Sequence, residues 1–186
     1  MTDADAGDTV ASPELAALID SRLRDVADFP KPGVAFKDIT PLLADGDAFS
    51  VTIEAMTTLA RAVGPVDLVA GVEARGFLLA GAMAARLDCG VMPVRKAGKL
   101  PPPTVTARYD LEYGSAEIEV PLGLLEGRRV FLVDDVLATG GTLAAAIGLL
   151  EQAGARVIGI AVLVELGFLN GRDRLTDRAV TSLLTL

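Results

Sequence analysis

The sequence lacks histidine and tryptophan altogether, and it has a single cysteine. Without histidine the chain has no conventional general base near neutral pH, and Ser-His or Cys-His pairs, HExxH helices and zinc fingers are excluded. One cysteine, Cys89, excludes an internal disulfide and CxxC sites. Its neighbours Leu87, Val91 and Met92 favour a small core residue over a nucleophile. A carboxylate is therefore the best candidate for acid–base chemistry.

Basic residues are also few. Lys and Arg number 17 against 25 Asp and Glu, which gives a formal net charge of −8 and a pI of about 4.5. Such a bulk charge argues against nonspecific nucleic-acid binding and is typical of a soluble surface. The acidic start lacks the apolar segment of a signal peptide, and the apolar run at 157–164 is too short for a bilayer. We therefore predict a cytoplasmic protein without nucleic-acid or membrane partners.

Aromatic residues make up 4% of the chain, whereas 51% of its residues are apolar. A core of Val, Leu, Ile and Ala is typical of α/β proteins. After an acidic tail at 1–11, apolar residues at helical spacing predict a helix from Ser12 to about Val26, and a second from Asp47 to Val63. Buried strands are predicted at 67–72, 89–96, 128–135 and 156–166, with helices at 77–87 and 141–154. This order predicts a single domain, 12–186, with a doubly wound, mainly parallel sheet flanked by helices.

Two stretches depart from this alternation. Residues 97–110 are polar and rich in proline and glycine, which is long for a connection and indicates a functional or mobile loop. Residues 111–121 alternate well enough to predict a β-hairpin or an extended pair. The end of the chain beyond residue 166 reads as short and irregular.

Unusual side chains follow three of the predicted parallel strands. Because ligands bind at the carboxyl ends of such strands, these side chains should surround one crevice. One group is acidic: Asp134 and Asp135, the acid pair, could be a metal site, a clamp for sugar hydroxyls or merely a polar strand end. The other group is basic and consists of Arg75, Arg95, Lys96 and Lys99.

The segment at 138–142, the glycine loop, leads into a helix N-terminus, where unpaired backbone N–H groups favour an anion. Its Gly140 and Gly141 allow close approach of a ligand, and Thr139 and Thr142 offer hydroxyls. The loop suits a terminal phosphate monoester, with an ordinary capped turn as the alternative. A P-loop, the dinucleotide fingerprint and GxSxG are absent from the sequence.

The run "VFLVDDVLATGGT" (130–142) resembles the phosphoribosyl-pyrophosphate signature of type I phosphoribosyltransferases. The stretches "DFPKPGVAFKDITPLL", "GVEARGF", "VRKAGKLP", "YDLEYG" and "VELGFLNGR" resemble the adenine branch of that family, in the same order. The similarity covers residues 15–184. It implies the type I phosphoribosyltransferase fold, with a small N-terminal hood at 12–45 and a flexible β-hairpin lid at 96–113.

The resemblance implies that adenine and phosphoribosyl pyrophosphate react to give AMP and diphosphate. The acid pair would hold the ribose hydroxyls and balance the positive ring, and Ala138, Thr139, Gly140, Gly141 and Thr142 would cradle the 5′-phosphate. Arg75, Arg95, Lys96 and Lys99 would face pyrophosphate, with Mg²⁺ held mainly by ligand oxygens. The peptide between Glu73 and Ala74 is expected to be strained and is a candidate for a cis bond. A homodimer is expected, because relatives often share a basic loop residue between subunits.

The resemblance also assigns the base subsite. Phe36 and Leu166 would stack on the two faces of adenine, the backbone of Ala35 would read the exocyclic amine, and Lys37 would lie at the base edge. Many relatives have Arg at that last position, and Arg and Lys are not interchangeable at a planar contact. An isolated phenylalanine would otherwise be assigned to the core.

Glu112 in the lid is the implied acid/base near the imidazole nitrogens of the purine. A closed lid would exclude water from the reaction, although the loop departs from many relatives at Ala97 and Pro102. Two alternatives remain open: transfer to another purine base, and a noncatalytic regulator that senses phosphoribosyl pyrophosphate on the same fold.

Overall fold

The computed structural model describes residues 11–29, 31–33, 35–111 and 114–186. The helices are α1 (Pro13–Ser21), α2 (Thr40–Ala44), α3 (Gly46–Ala62), α4 (Gly76–Leu87) and α5 (Gly141–Gln152). The strands are β1 (Arg24–Val26), β2 (Phe36–Asp38), β3 (Leu68–Val72), β4 (Gly90–Lys96), β5 (Thr104–Leu111), β6 (Gly114–Pro121), β7 (Arg129–Leu137), β8 (Arg156–Glu165) and β9 (Val180–Thr185). None of the helices in these ranges is both long and apolar enough to cross a membrane.

Over the described ranges, the main sheet has seven strands in the order β5-β6-β4-β3-β7-β8-β9. The run from β4 to β9 is parallel throughout, whereas β6 pairs antiparallel with β4 and with β5. The predicted α/β class and mainly parallel sheet are thus confirmed. Strands β1 and β2 form a separate antiparallel pair, the N-terminal ribbon.

Side chains of β7 alternate between two apolar clusters, one on each face of the sheet. Val130 and Leu132 pack in the cluster that contains α5, and Phe131 and Val133 pack in the cluster that contains α3 and α4. A strand covered on both faces needs apolar residues at every position, which explains the unbroken run seen in the sequence. The same burial shields the acid pair, which ends this run, from water.

Helix α4 approaches β3 unusually closely at Gly71. A Cβ atom added there would lie 2.5 Å from the carbonyl oxygen of Gly76 and 2.7 Å from Cβ of Ala80. No side chain fits in that space, so glycine is required by packing. The close approach holds the turn at 73–75 directly over the carboxyl end of β3.

The structure corrects the sequence analysis at the first helix. The helix predicted to reach Val26 ends at Ser21, and Arg24–Val26 instead form β1, paired with β2. Leu23 and Val26 fit a helical period, but the partner strand lies ten residues further on. Local spacing could not reveal that pairing, because it depends on a contact distant in sequence.

The end of the chain is also more regular than predicted. Residues Val180–Thr185 form β9, an edge strand parallel to β8, and two 3₁₀ turns, Gly167–Leu169 and Gly171–Arg174, precede it. Strand β5 likewise begins at Thr104, inside the stretch expected to be a loop. Both strands mix polar and apolar residues, so neither shows the continuous apolar run by which the central strands were recognised.

Candidate active site

The acid pair is buried near the end of β7: Asp134 is 7% exposed and Asp135 6%. The amide of Asp135 donates a hydrogen bond of 2.9 Å to Oδ1 of Asp134. Burial raises the pKa of Asp134 well above its ordinary value, and the negative charge of Asp135 adds to that rise. Two carboxylates kept out of water in this way are poised for a positively charged or hydroxyl-bearing ligand.

Arg75 links the acid pair to the N-terminal ribbon. Its Nη2 lies 2.7 Å from Oδ2 of Asp135, an ion pair that lacks the alignment of a hydrogen bond. Its guanidinium carbon is 4.8 Å from the ring centroid of Phe36, within cation–π range, and its Nη1 donates a 3.4 Å hydrogen bond to the carbonyl oxygen of Lys37. The Glu73–Ala74 peptide that precedes it is cis, as the sequence resemblance implied.

The other basic residues lie at the end of β4 and just after it. Nε of Arg95 lies 3.5 Å from Oε2 of Glu73, and its Nη1 donates to the carbonyl oxygen of Lys99 at 3.0 Å. Oε2 of Glu73 also accepts the amide of Lys96 at 2.9 Å, so this carboxylate joins the turn after β3 to the end of β4. The side chains of Lys96 and Lys99 are exposed.

Glu119 of β6 was not singled out from the sequence, yet it holds the loop that carries these lysines. It is 4% exposed, and its Oε1 accepts the amides of Lys99 and Leu100, both at 2.7 Å. The Leu100 amide is the main reason why the pKa of Glu119 lies below its ordinary value. Alternating Glu117 and Glu119 in the sequence gave no sign of which one faces inward.

The glycine loop leads into α5 at Gly141. Gly140 has φ of 79°, the left-handed region that favours glycine, and within the described chain no side chain caps the first turn of α5. The uncapped amides and the 12-residue helix that follows give this end of the sheet an anion-binding character. Thr139 and Thr142 are partly exposed beside it.

The N-terminal ribbon carries two of the residues predicted to bind the base, Phe36 and Lys37, and Ala35 directly precedes β2. Phe36 is partly buried and meets Phe29 edge to face, with ring centroids 5.1 Å apart. Nζ of Lys37 pairs with Oδ1 of Asp25 at 2.5 Å, and Ala35 is exposed. The ribbon therefore faces the acid pair through Arg75.

Leu166 immediately follows β8 and is 7% exposed. Its amide donates to the carbonyl oxygen of Leu137 at 2.9 Å, which fixes it beside the start of the glycine loop. Glu112, the predicted acid/base, lies outside the described residues, as does Tyr113. The described part of the lid predicted at 96–113 includes β5, which pairs with β6 in register from Thr104↔Pro121 to Leu111↔Gly114.

A mainly parallel sheet, an acid pair near a strand end and a glycine loop opening a helix form the arrangement that the sequence resemblance implied for a phosphoribosyltransferase. The model of the phosphoribosyl transferase domain family matches residues 52–183. An adenine phosphoribosyltransferase of Frankia casuarinae is 55% identical over 179 residues, covering 96% of this chain and 95% of that protein. The chain belongs to the phosphoribosyltransferase family, in its adenine phosphoribosyltransferase branch.

Solved structures agree with this assignment. Adenine phosphoribosyltransferase from Rhodothermus marinus has a TM-score of 0.88 and 43% identity, covering 94% of this chain and 100% of that one. The enzyme from Giardia lamblia, solved as a complex with 9-deazaadenine, has a TM-score of 0.87 and 37% identity, covering 92% and 97%. The fold predicted from the sequence motifs is therefore confirmed.

Proposed function

We propose that this protein transfers the phosphoribosyl group of phosphoribosyl pyrophosphate to adenine, a purine-salvage reaction that gives AMP and diphosphate. The single observation that carries this proposal is the Arg75 bridge, which joins the acid pair to the aromatic side chain of the N-terminal ribbon. A sugar subsite and a base subsite are thereby adjacent. The relatives at 51–59% identity, all named adenine phosphoribosyltransferase, support adenine as the base.

The reaction forms a bond between N9 of adenine and C1′ of the ribose. The bond from C1′ to pyrophosphate breaks, the leaving group takes the electron pair, and adenine loses one imidazole proton. Positive charge develops on the ribose ring. We assign Asp134 and Asp135 to stabilise this charge and to accept hydrogen bonds from the ribose hydroxyls. Their burial supports this role, because preorganised charges act most strongly where water is excluded.

We assign the phosphate groups of the substrate to two different parts of the site. We assign the 5′-phosphate to the amides and hydroxyls of Ala138, Thr139, Gly140, Gly141 and Thr142. We assign the pyrophosphate to Arg75, Arg95, Lys96 and Lys99, where several positive charges offset the growing negative charge of the leaving group. The hydrogen bonds of Glu119 support the second assignment, since they hold the loop that carries Lys99.

We assign the base to Phe36 and Leu166, with Ala35 and Lys37 at its edge. The partly buried ring of Phe36 supports stacking, which an aromatic side chain and a purine favour. Lys37 already pairs with Asp25, so its role at the base edge requires that pair to open or to share its charge. The homodimer and the cytoplasmic location predicted from the sequence belong to the same proposal.

Members of this family generally use Mg²⁺ with phosphoribosyl pyrophosphate. Among the described residues no group of three or more acidic or cysteine side chains could hold a metal ion, whereas Asp134 and Asp135 offer oxygen atoms. These residues fit Mg²⁺ held mainly by ligand oxygens, because Mg²⁺ commonly uses one or two carboxylates together with phosphates. When bound, the ion would neutralise charge on the pyrophosphate.

A substrate panel tests the proposed function. Purified protein should form AMP from adenine and phosphoribosyl pyrophosphate when Mg²⁺ is present, and chelation with EDTA should abolish the reaction. Efficient use of hypoxanthine or guanine in place of adenine would contradict the base assignment. Tight calorimetric binding of phosphoribosyl pyrophosphate without turnover of any base would instead favour the noncatalytic regulator.

The role of Glu112 as the acid/base remains a prediction. Replacement of Glu112 by Ala should lower kcat by about 10²-fold, in the range typical of general acid–base catalysis. The dissociation constant of phosphoribosyl pyrophosphate should change much less, because no role in binding that substrate is assigned to this side chain. Rapid-quench kinetics and calorimetry measure the two quantities separately, and a normal kcat would remove Glu112 from the mechanism.

A further inference from the structure

The backbone at Gly171 packs directly against the glycine loop. A Cβ atom added at Gly171 would overlap with the carbonyl oxygen of Ala138 and would lie 2.8 Å from Cδ1 of Leu137. A Cβ atom added at Gly140 would overlap in turn with the carbonyl oxygen of Gly171. The backbone at Gly171 therefore forms a closely packed wall behind the loop, and the position of the loop depends on where Gly171 is held.

The next residue, Arg172, fixes that wall to the sheet. Its Nε and Nη2 donate to Oε1 and Oε2 of Glu165 at 2.7 and 2.6 Å, a two-pronged pair with a carboxylate that is only 5% exposed. Its Nη1 donates to the carbonyl oxygen of Val180 at 2.6 Å, and its Nη2 to Oγ of Ser182 at 3.3 Å. One guanidinium thus joins the end of β8 and the first half of β9 to the segment that supports the loop.

Glu165 is the last residue of β8, and Leu166 follows it directly. The same ion pair therefore fixes both the residue assigned to one face of the base and the wall behind the loop assigned to the 5′-phosphate. Both assignments belong to the proposed function, and the present inference rests on them. An arginine that forms two hydrogen bonds with one carboxylate suits this dual role, because its planar guanidinium fixes both the direction and the distance of the contact.

We propose that Arg172 is a positioning residue that sets the distance between the base subsite and the 5′-phosphate subsite, with Gly171 as its contact to the glycine loop. Arg172 acts through Leu166 and Gly171 and contacts no reacting atom. If the ion pair served only the stability of the fold, its disruption would lower the thermal stability and leave the Michaelis constants unchanged.

The test compares Gly171→Ala and Arg172→Lys with two matched controls, in the full-length protein. Gly148→Ala adds a methyl group to α5 where nothing lies within 4 Å, and Arg178→Lys alters an ion pair with Glu151 that is 2.8 Å long and remote from the loop. Thermal unfolding is measured first. The Michaelis constants for both substrates and kcat are then measured at a temperature well below each Tm.

Gly171→Ala should raise KM for phosphoribosyl pyrophosphate about tenfold, and Arg172→Lys should raise KM for both substrates, because displacement of a subsite by about 1 Å weakens catalysis strongly. Both controls should keep the wild-type Michaelis constants. Unchanged constants in folded Arg172→Lys protein would overturn the proposal, whatever its Tm, and this variant decides the matter if Gly171→Ala fails to fold.

Thr139→Ala separates this inference from the assignment of the loop. A raised KM for phosphoribosyl pyrophosphate in Thr139→Ala, with normal constants in Arg172→Lys, would overturn the positioning role alone. Normal constants in Thr139→Ala and also in Gly171→Ala would overturn the assignment of the loop to the 5′-phosphate, and with it the positioning role.

Discussion

The two halves of the site are built in different ways. The acid pair and the glycine loop belong to the main sheet, where Asp134 and Asp135 are buried and backbone packs on backbone at Gly140 and Gly171. The N-terminal ribbon lies outside the main sheet, and Lys37 pairs there with Asp25, a side chain that is 76% exposed. The subsites proposed for the ribose and the 5′-phosphate thus lie at the main sheet, whereas Phe36 and Lys37, proposed to bind the base, lie in a small appendage.

This contrast predicts the largest effect for the acid pair. Asp134→Asn should lower kcat/KM on the order of 10²-fold, as expected when a preorganised electrostatic group is lost. The amide can still accept the hydrogen bond of 2.9 Å from the Asp135 backbone, so the fold should be retained. Steady-state kinetics give the loss, and an unchanged kcat/KM would mean that the acid pair is merely a polar strand end.

The same variant should be more stable than the wild-type protein at neutral pH. Because the folded-state pKa of Asp134 is raised, its contribution to stability is present below the unfolded-state pKa and is lost as pH rises through the folded value. The difference in Tm between Asp134→Asn and wild type should therefore grow with pH over that interval. Thermal unfolding at a series of pH values measures it.

The next effect concerns stability of the sheet-built half. Gly71→Ala forces a methyl group against α4, and overpacking of this kind lowers the free energy of unfolding by about 1–3 kcal/mol. Gly81→Ala in α4 is the matched control, because nothing lies within 4 Å of the added atom and alanine in a helix is about 0.5–1 kcal/mol better than glycine. Urea titration distinguishes them, and equal stability of the two variants would contradict tight packing at β3.

A smaller effect, confined to one substrate, is expected in the N-terminal ribbon. Stacking of a base on an aromatic side chain is worth about 1–3 kcal/mol, so Phe36→Ala should raise KM for adenine about tenfold with a smaller change in KM for phosphoribosyl pyrophosphate. Phe29→Ala, which removes only the edge-on neighbour, serves as the control. Equal effects of the two variants would place the base elsewhere.

The smallest effect belongs to the ion pair of the ribbon. Asp25→Asn should change KM for adenine by less than about fivefold, because exposed ion pairs generally contribute about 0.2–1 kcal/mol. Added salt should reduce the difference between the variant and the wild-type protein, since exposed charges are screened. Measurement of KM for adenine at low and high ionic strength tests this expectation. A large change in KM that persists in salt would indicate that Lys37 contacts the base edge.

The sequence revealed the central part of the fold because its strands are covered on both faces. Unbroken apolar runs in β3, β7 and β8 predicted the parallel sheet, and the unusual side chains at the ends of β3, β4 and β7 predicted the crevice at its carboxyl ends. Strand β9 and the N-terminal ribbon escaped prediction, since an edge strand and a three-residue strand carry no strong apolar period. Their formation depends on partners that only the folded chain supplies.

The candidate site divides in the same way. The acid pair, Arg75 and the glycine loop were identified because they lie within short, continuous motifs. The contacts made by Glu119 and Arg172 were not predicted, because each joins segments that are separated in sequence. In a sequence, a carboxylate or a guanidinium in an ordinary strand or turn cannot be distinguished from a surface side chain until its partner is known.

The position of Arg75 has a consequence for the order and strength of binding. This side chain contacts Asp135 on one side and both the Phe36 ring and the Lys37 carbonyl on the other. A ligand that draws Arg75 toward pyrophosphate also alters the surface offered to the base. Under the proposed assignment, any effect of phosphoribosyl pyrophosphate on the affinity for adenine must, by thermodynamic linkage, be matched by an equal effect of adenine on the affinity for phosphoribosyl pyrophosphate.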